Sequence, residues 1–281
     1  MKETDYIKLL RTIIQVGEAN KGLEAGSDDR ILDAEGLLLK FFGHASSLLY
    51  LSRSTTIQDI FPDIPISFFD PGSINILARA ALETFLVFHY IFIAPQSETE
   101  KDFRYVSWVY AGLLERQKYP VHSPQGKQKL QSEKQGIDLL KEKLQRNAYF
   151  RKLPSKQQDG LLRHGKWRFS SWKDIALSAG LNEATAKGFY NFLCGYAHAN
   201  YISILQIRQA ENANDQKHLF AAAINLVMIA MANMIRSYCN LFPKSKNAIQ
   251  EKDAAQIVEN WVFVGQKSAE DIEIDWSKVD L

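Results

Sequence analysis

Residues 74–94 read INILARAALETFLVFHYIFIA, twenty-one positions in which Arg79 and Glu83 are the only acidic or strongly basic side chains. The stretch is about long enough to cross a bilayer. A charged pair at its middle would be costly in lipid. Four residues apart on a helix, however, Arg79 and Glu83 share a face and can neutralise each other. The stretch therefore reads as a helix buried in protein. A second apolar run, Leu219–Ile235 (LFAAAINLVMIAMANMI), carries Asn225 and Asn233 and is slightly short for a span. It reads the same way. Two such helices need covering on several sides, which predicts an all-α multi-helix bundle.

Working outward, the rest of the chain is helix after helix. Residues 2–19 carry Ile7, Leu10, Ile14 and Val16 at amphipathic spacing, and 31–51 form a Leu-rich helix after the Ser-Asp-Asp of residues 27–29. Residues 59–72, with Pro62, Pro65 and Pro71, break the pattern. Their Ile60, Phe61, Ile64, Phe68 and Phe69 predict a connector that packs, and Ser73 is expected to cap the next helix. Helices are predicted over 98–118, 127–150, 171–179, 182–199, 202–211, 217–240 and 247–266. Residues 153–172 read as irregular and short-helical. No series of strands and turns and no internal repeat is visible. The expected organisation is a helical pair over 1–58 packed on the core, a main bundle over 59–266, and an acidic tail over 267–281. In the tail Ile272, Ile274 and Trp276 alternate with Glu273 and Asp275, a pattern suited to docking one edge on a basic surface.

Composition is that of a folded globular protein, 46% hydrophobic and 23% charged. Cys194 and Cys239 both lie in apolar helical patterns, which predicts reduced thiols and a cytoplasmic protein. The first ten residues lack the apolar core of a signal peptide, and no association with a membrane is expected. The net charge of +2 hides an imbalance. From Arg116 to Lys173 there are 15 Lys or Arg against 4 Asp or Glu, a net of +11 that leaves −9 elsewhere. Tyr119, Tyr149, Phe150, Trp167, Phe169 and Trp172 are interleaved with those cations. Basic groups can meet phosphates while aromatic rings stack on bases, so RNA is the expected partner. Arg146, Arg151, Lys166 and Arg168 are the expected nucleic-acid contacts. A protein partner or a homodimer is the other expected association.

Several chemistries have no support. Phosphate-binding loops, HExxH, paired CxxC and the GxSxG elbow are all absent, so neither cofactor nor metal is expected. Residues 171–190 have the spacing of a helix-turn-helix, but Phe189, Tyr190 and Phe192 want a core rather than a DNA groove. RQKYPVH, residues 116–122, has an Arg-x5-His spacing, which Pro120 removes from any one helix. What remains is a set of polar groups on apolar helices: Arg79 and Glu83 on one, and Tyr190, Cys194 and His198, stepping by four, on another. Each alone has an ordinary structural explanation. Together they form the candidate site, with Arg79, Glu83, Tyr190 and His198 expected to converge.

The order R-x-x-x-E, then Trp172, then Y-x-x-x-C-x-x-x-H resembles the bacterial DUF5677 family from roughly Asp70 to Ile204. Cys194 stands where a Ser is expected. The family's function is uncharacterised; the resemblance implies a helical fold similar to HEPN-type proteins, which include RNA-cleaving toxins and phage-defence effectors. It implies an RNA-binding protein of a bacterial defence or toxin system, with metal-independent endoribonuclease activity as the accompanying expectation. His198 would be the general base, Arg79 the phosphate ligand, and Glu83 and Tyr190 their support. The rival expectations are a non-enzymatic helical module in which the same cluster only holds the bundle together and, second, a membrane-associated protein that uses the two apolar helices.

Overall fold

A computed structural model describes residues 3–21, 29–60, 63–249 and 252–267. In chain order, α1 (Glu3–Glu18) and α2 (Arg30–Ser52) lead into a hairpin of β1 (Thr55–Ile57) and β2 (Ile66–Phe68), then α3 (Pro71–Phe88) and a π-type turn, His89–Ile93. Next come α4 (Glu98–Arg116), α5 (Pro124–Arg146), α6 (Ala148–Arg151) and α7 (Ser155–His164). After α8 (Trp172–Ser178), a second π-type turn (Thr185–Phe189) runs into α9 (Tyr190–Ala197). α10 (Tyr201–Gln209), α11 (Ala213–Leu241), a 3-10 turn (Pro243–Ala248) and α12 (Lys252–Gln266) complete the described chain. The fold is all-α. Residues 1–89 with 172–281 make one compact unit, and residues 90–171 make another.

In the first unit, α11 is the centre. Sixteen of its 29 residues are buried, from Phe220 to Cys239. Such a helix is stable only when other helices cover nearly all its sides. α3, α12 and α1 do so. Asn75 Nδ2 donates to Leu219 O (3.2 Å), tying α3 to the start of α11. Gly265 brings α12 close: a Cβ there would lie 2.5 Å from Ile229 Cγ2. α2 lies along α3, and Tyr6 Oη donates to Ala45 O (2.8 Å), so the N-terminal pair joins this same unit. Pro71–Ile93 and Ala213–Leu241 are long and apolar enough to cross a membrane, yet 61% and 72% of their most apolar windows are buried in the fold.

Local chemistry corrects several expected boundaries. The cap of α3 is Asp70, whose carboxylate accepts from Ser73 N (2.9 Å), with Pro71 in the first turn. The connector after α2 is a two-stranded antiparallel hairpin, Thr55 opposite Phe68. Three-residue strands are too short to declare a period of two. Its Ile60 and Ile64 are exposed; Phe69 does pack, on Phe220 (5.7 Å between centroids). The helix expected over 127–150 starts at Pro124 and stops at Arg146. Asn147 begins a new turn there, accepting from Tyr149 N (2.8 Å). The amphipathic tail, with Ile272, Ile274 and Trp276, lies outside the described residues.

The second unit is built on Phe103, Val106, Tyr110, Ile137, Leu144, Phe150 and Leu161 from α4, α5, α6 and α7. Phe103 stacks on Tyr149 (5.0 Å) and Phe169 (6.0 Å). Gly165 ends α7 at φ 65°, a left-handed conformation that glycine adopts without strain. Here the chain turns close over Ala111 of α4.

Two outcomes test this packing. Gly265→Ala forces the new methyl into Ile229 and is expected to cost about 1–3 kcal/mol by urea denaturation; an unchanged midpoint would contradict the close α11–α12 crossing. Tyr238, buried against Asn20 (3.1 Å), has its hydroxyl pKa pushed up by burial to about 12, from 10.0 for an ordinary tyrosine. The folded state holds that proton more tightly, so this contribution to stability is complete below pH 10 and is lost as the pH climbs toward 12. Tyr238→Phe should therefore flatten the alkaline fall in thermal stability, and an equally steep fall in the variant would count against it.

Candidate functional site

α3 is not buried on all sides. Its face of Ile74, Ala78, Leu82 and Phe85 is sealed, while Ile76 on the opposite side is 44% exposed. Arg79 and Glu83 lie toward that open side, with side chains 23% and 29% exposed. α9 packs alongside and brings Tyr190. Arg79 Nε donates to Glu83 Oε1 (3.0 Å), Arg79 Nη2 to Tyr190 Oη (3.3 Å), and Tyr190 Oη to the same Glu83 oxygen (3.1 Å). The guanidinium carbon also lies 5.4 Å from the Tyr190 ring centroid, and Trp172 of α8 flanks that ring (6.5 Å). Arg79 Nη1 has no hydrogen bond to the protein among the described residues.

Electrostatics follow from this triangle. Burial, the Glu83 carboxylate and the neighbouring Cys194 push the Tyr190 hydroxyl up to about 12. Burial works to lower the Arg79 pKa, but Glu83, Tyr190 and Cys194 outweigh it and raise the value. The triangle is thus a neutral Tyr, a carboxylate and a guanidinium held in one orientation, with one edge of the guanidinium open. That edge suits a phosphate or carboxylate oxygen.

His198 follows the last residue of α9 and is exposed. Its backbone still makes a helical bond to Cys194 O (3.0 Å), but Ala199 turns left-handed (φ 48°), and Asn200 caps α10 by accepting from Ser203 N (2.9 Å). Gly195 permits this sharp turn, since a Cβ there would meet Asn200 Nδ2 at 2.5 Å. The turn at Ala199 and Asn200 ends the helical path just after His198.

The four expected RNA contacts are spread over the second unit. Arg146 is exposed and paired with Glu142 (3.1 Å), and Arg151 is exposed with Nε on Gln145 O (3.0 Å). Lys166 is exposed; Arg168 is half-buried and donates to Ser170 O. Arg116, from the Arg-x5-His match, bonds Glu133 (3.0 Å) instead of His122. Sequence reading missed a more deeply buried ion pair, Glu100 with Arg104, whose side chains are 9% and 15% exposed. Burial works to raise the Glu100 pKa, but Gln96 N–H, Arg104 and Tyr149 hold it below the usual carboxylate range. Arg104 also donates to Tyr90 O (2.8 Å), so this pair is fully engaged in its own fold. In sequence it looks like any charged pair of an amphipathic helix. Among the described residues no group of three or more His, Cys, Asp or Glu could hold a metal ion.

The triangle predicts a measurable coupling. A double-mutant cycle of Arg79→Ala and Tyr190→Phe is expected to give about 0.5–1 kcal/mol in equilibrium unfolding, the range for a partly exposed contact. Strictly additive effects would show that the two side chains do not interact.

Comparison with known proteins adds one finding. Residues 66–217 match the model of a family described as a family of unknown function, DUF5677. Arg79, Glu83, Trp172, Tyr190, Cys194 and His198 all fall inside the match. No curated protein and no solved structure matches the chain.

Proposed function

The chain belongs to the DUF5677 family, and we propose that it is an RNA-binding protein of the cytoplasm whose basic unit, residues 90–171, meets the phosphate backbone. One observation carries this reading. That unit holds 16 Lys or Arg and 8 Asp or Glu, a net of +8, while the rest of the chain carries −6. Charge that separates by structural unit, rather than mixing over the surface, supports a polyanionic partner.

Ion pairs do not use up the excess. Lys127, Lys134, Lys141, Lys152, Lys156 and Lys166 are exposed and make no ion pair among the described residues. Seven-residue steps set the first three along one line of α5, which Asp138 interrupts. Such a row neutralises phosphates without reading sequence.

In the other unit, Arg79 offers a phosphate oxygen a held guanidinium with an open edge. The site is read as one that binds an anionic group, held by the Arg79 guanidinium.

Fluorescence anisotropy with labelled RNA tests the proposal. Affinity should fall about tenfold or more between 50 and 200 mM salt, as expected for several phosphate contacts. Reversing the α5 row (Lys127→Glu, Lys134→Glu, Lys141→Glu) should remove most of the affinity, while His198→Ala leaves it within about twofold of the unaltered chain. Absence of binding at 50 mM salt, or affinity indifferent to salt, would overturn the reading.

A further inference from the structure

The second unit also contains a small groove between α4 and the chain that leaves α7. Its volume is about 290 Å³, and its lining includes Trp108, Gly112, Lys118, His164, Gly165 and Trp167. The groove has a local cause. Gly165, left-handed at φ 65°, lets the chain cross tightly over Ala111; a Cβ on it would lie 3.4 Å from the Ala111 backbone. One residue on, Gly112 offers no side chain, and a Cβ there would meet nothing within 4 Å. Glycine so leaves a gap in the surface of α4.

Two indole rings line that gap. Trp108 lies one turn before Gly112 on the same helix face. Trp167 follows Gly165 by two residues. Neighbouring rings hold both: Tyr105 against Trp108 (6.3 Å), and Tyr90 edge-on to Trp167 (5.8 Å). Neither indole is sealed in the core; both are partly exposed. At the rim stand His164 and Lys118, the latter bonded to Glu115 (2.7 Å). Two indoles with His164 and Lys118 beside them, Glu115 also lining the groove, suit a planar heterocycle that carries an anionic group.

We infer that this groove holds one unpaired base of the RNA, stacked on Trp108 or Trp167, with its phosphate toward Lys118 and His164. The inference rests on the RNA-binding reading and narrows the substrate class to single strands. A base within a duplex has both faces covered and cannot enter, whereas single-strand binders combine a basic surface with aromatic platforms.

The test uses the full chain and Gly112→Leu, which fills the groove without altering charge and favours the helix. Circular dichroism melting confirms that the variant is folded. Binding is read by anisotropy with a twelve-nucleotide single strand and a duplex of the same length, at 50 mM salt. The variant should lose about 5- to 100-fold in affinity for the single strand, the worth of one stacked base, and keep its affinity for the duplex. Quenching of tryptophan fluorescence by the single strand should shrink in parallel. Single-strand affinity within twofold of the unaltered chain would overturn the groove assignment and leave the basic-surface reading intact. If the unaltered chain binds neither RNA, both readings fall together.

Discussion

Covering α11 is the constraint from which the first unit follows. Its buried run admits no solvent face of useful width between Phe220 and Cys239, so helices must arrive from several sides. α3 has enough apolar surface to serve as the main cover, and α2 then covers α3. The close approach of α12 at Gly265 and the Asn20–Tyr238 bond from the end of α1 complete the enclosure. Arg79 and Glu83 stand on α3, which α9 also meets, and the pair remains partly solvated.

This placement changes what the pair means. Sealed in the core, it would be an expensive ion pair retained for specificity or for chemistry. At a half-exposed edge its cost is small and its contribution to stability modest. What the geometry adds is orientation: two hydrogen bonds and one ring fix the guanidinium and leave its Nη1 without a hydrogen bond among the described residues. The tightly engaged pair is Glu100–Arg104, which satisfies its own unit and offers little to a ligand.

Much of the helical order was legible because long apolar runs leave few alternatives. Residues 74–94 and 219–235 read as long apolar helices, and Tyr190 does meet the Arg79–Glu83 pair. What was not legible depended on groups that make no periodic signal. The hairpin at Thr55–Phe68 is too short for alternation to show. Asp70 rather than Ser73 caps α3 because the proline after it fixes the first turn. The end of α9 at Ala197, two residues short of the expected helix end at 199, depends on Asn200, which caps α10. The division at residues 90 and 171 was hidden as well, because a single apolar run crosses the first boundary without a break in composition. Trp108 reads in sequence as one more core aromatic of an amphipathic helix. Only the crossing at Gly165 shows that it borders open space.

The account makes residues 90–171 the RNA-facing part of the molecule, and crosslinking measures that most directly. The full chain would be irradiated with 4-thiouridine-substituted RNA at low salt, digested, and the crosslinked peptides identified by mass spectrometry. Crosslinks are expected on peptides of residues 90–171, with the Trp108 and Trp167 peptides among them. Crosslinks confined to residues 1–89 and 172–281 would contradict the account.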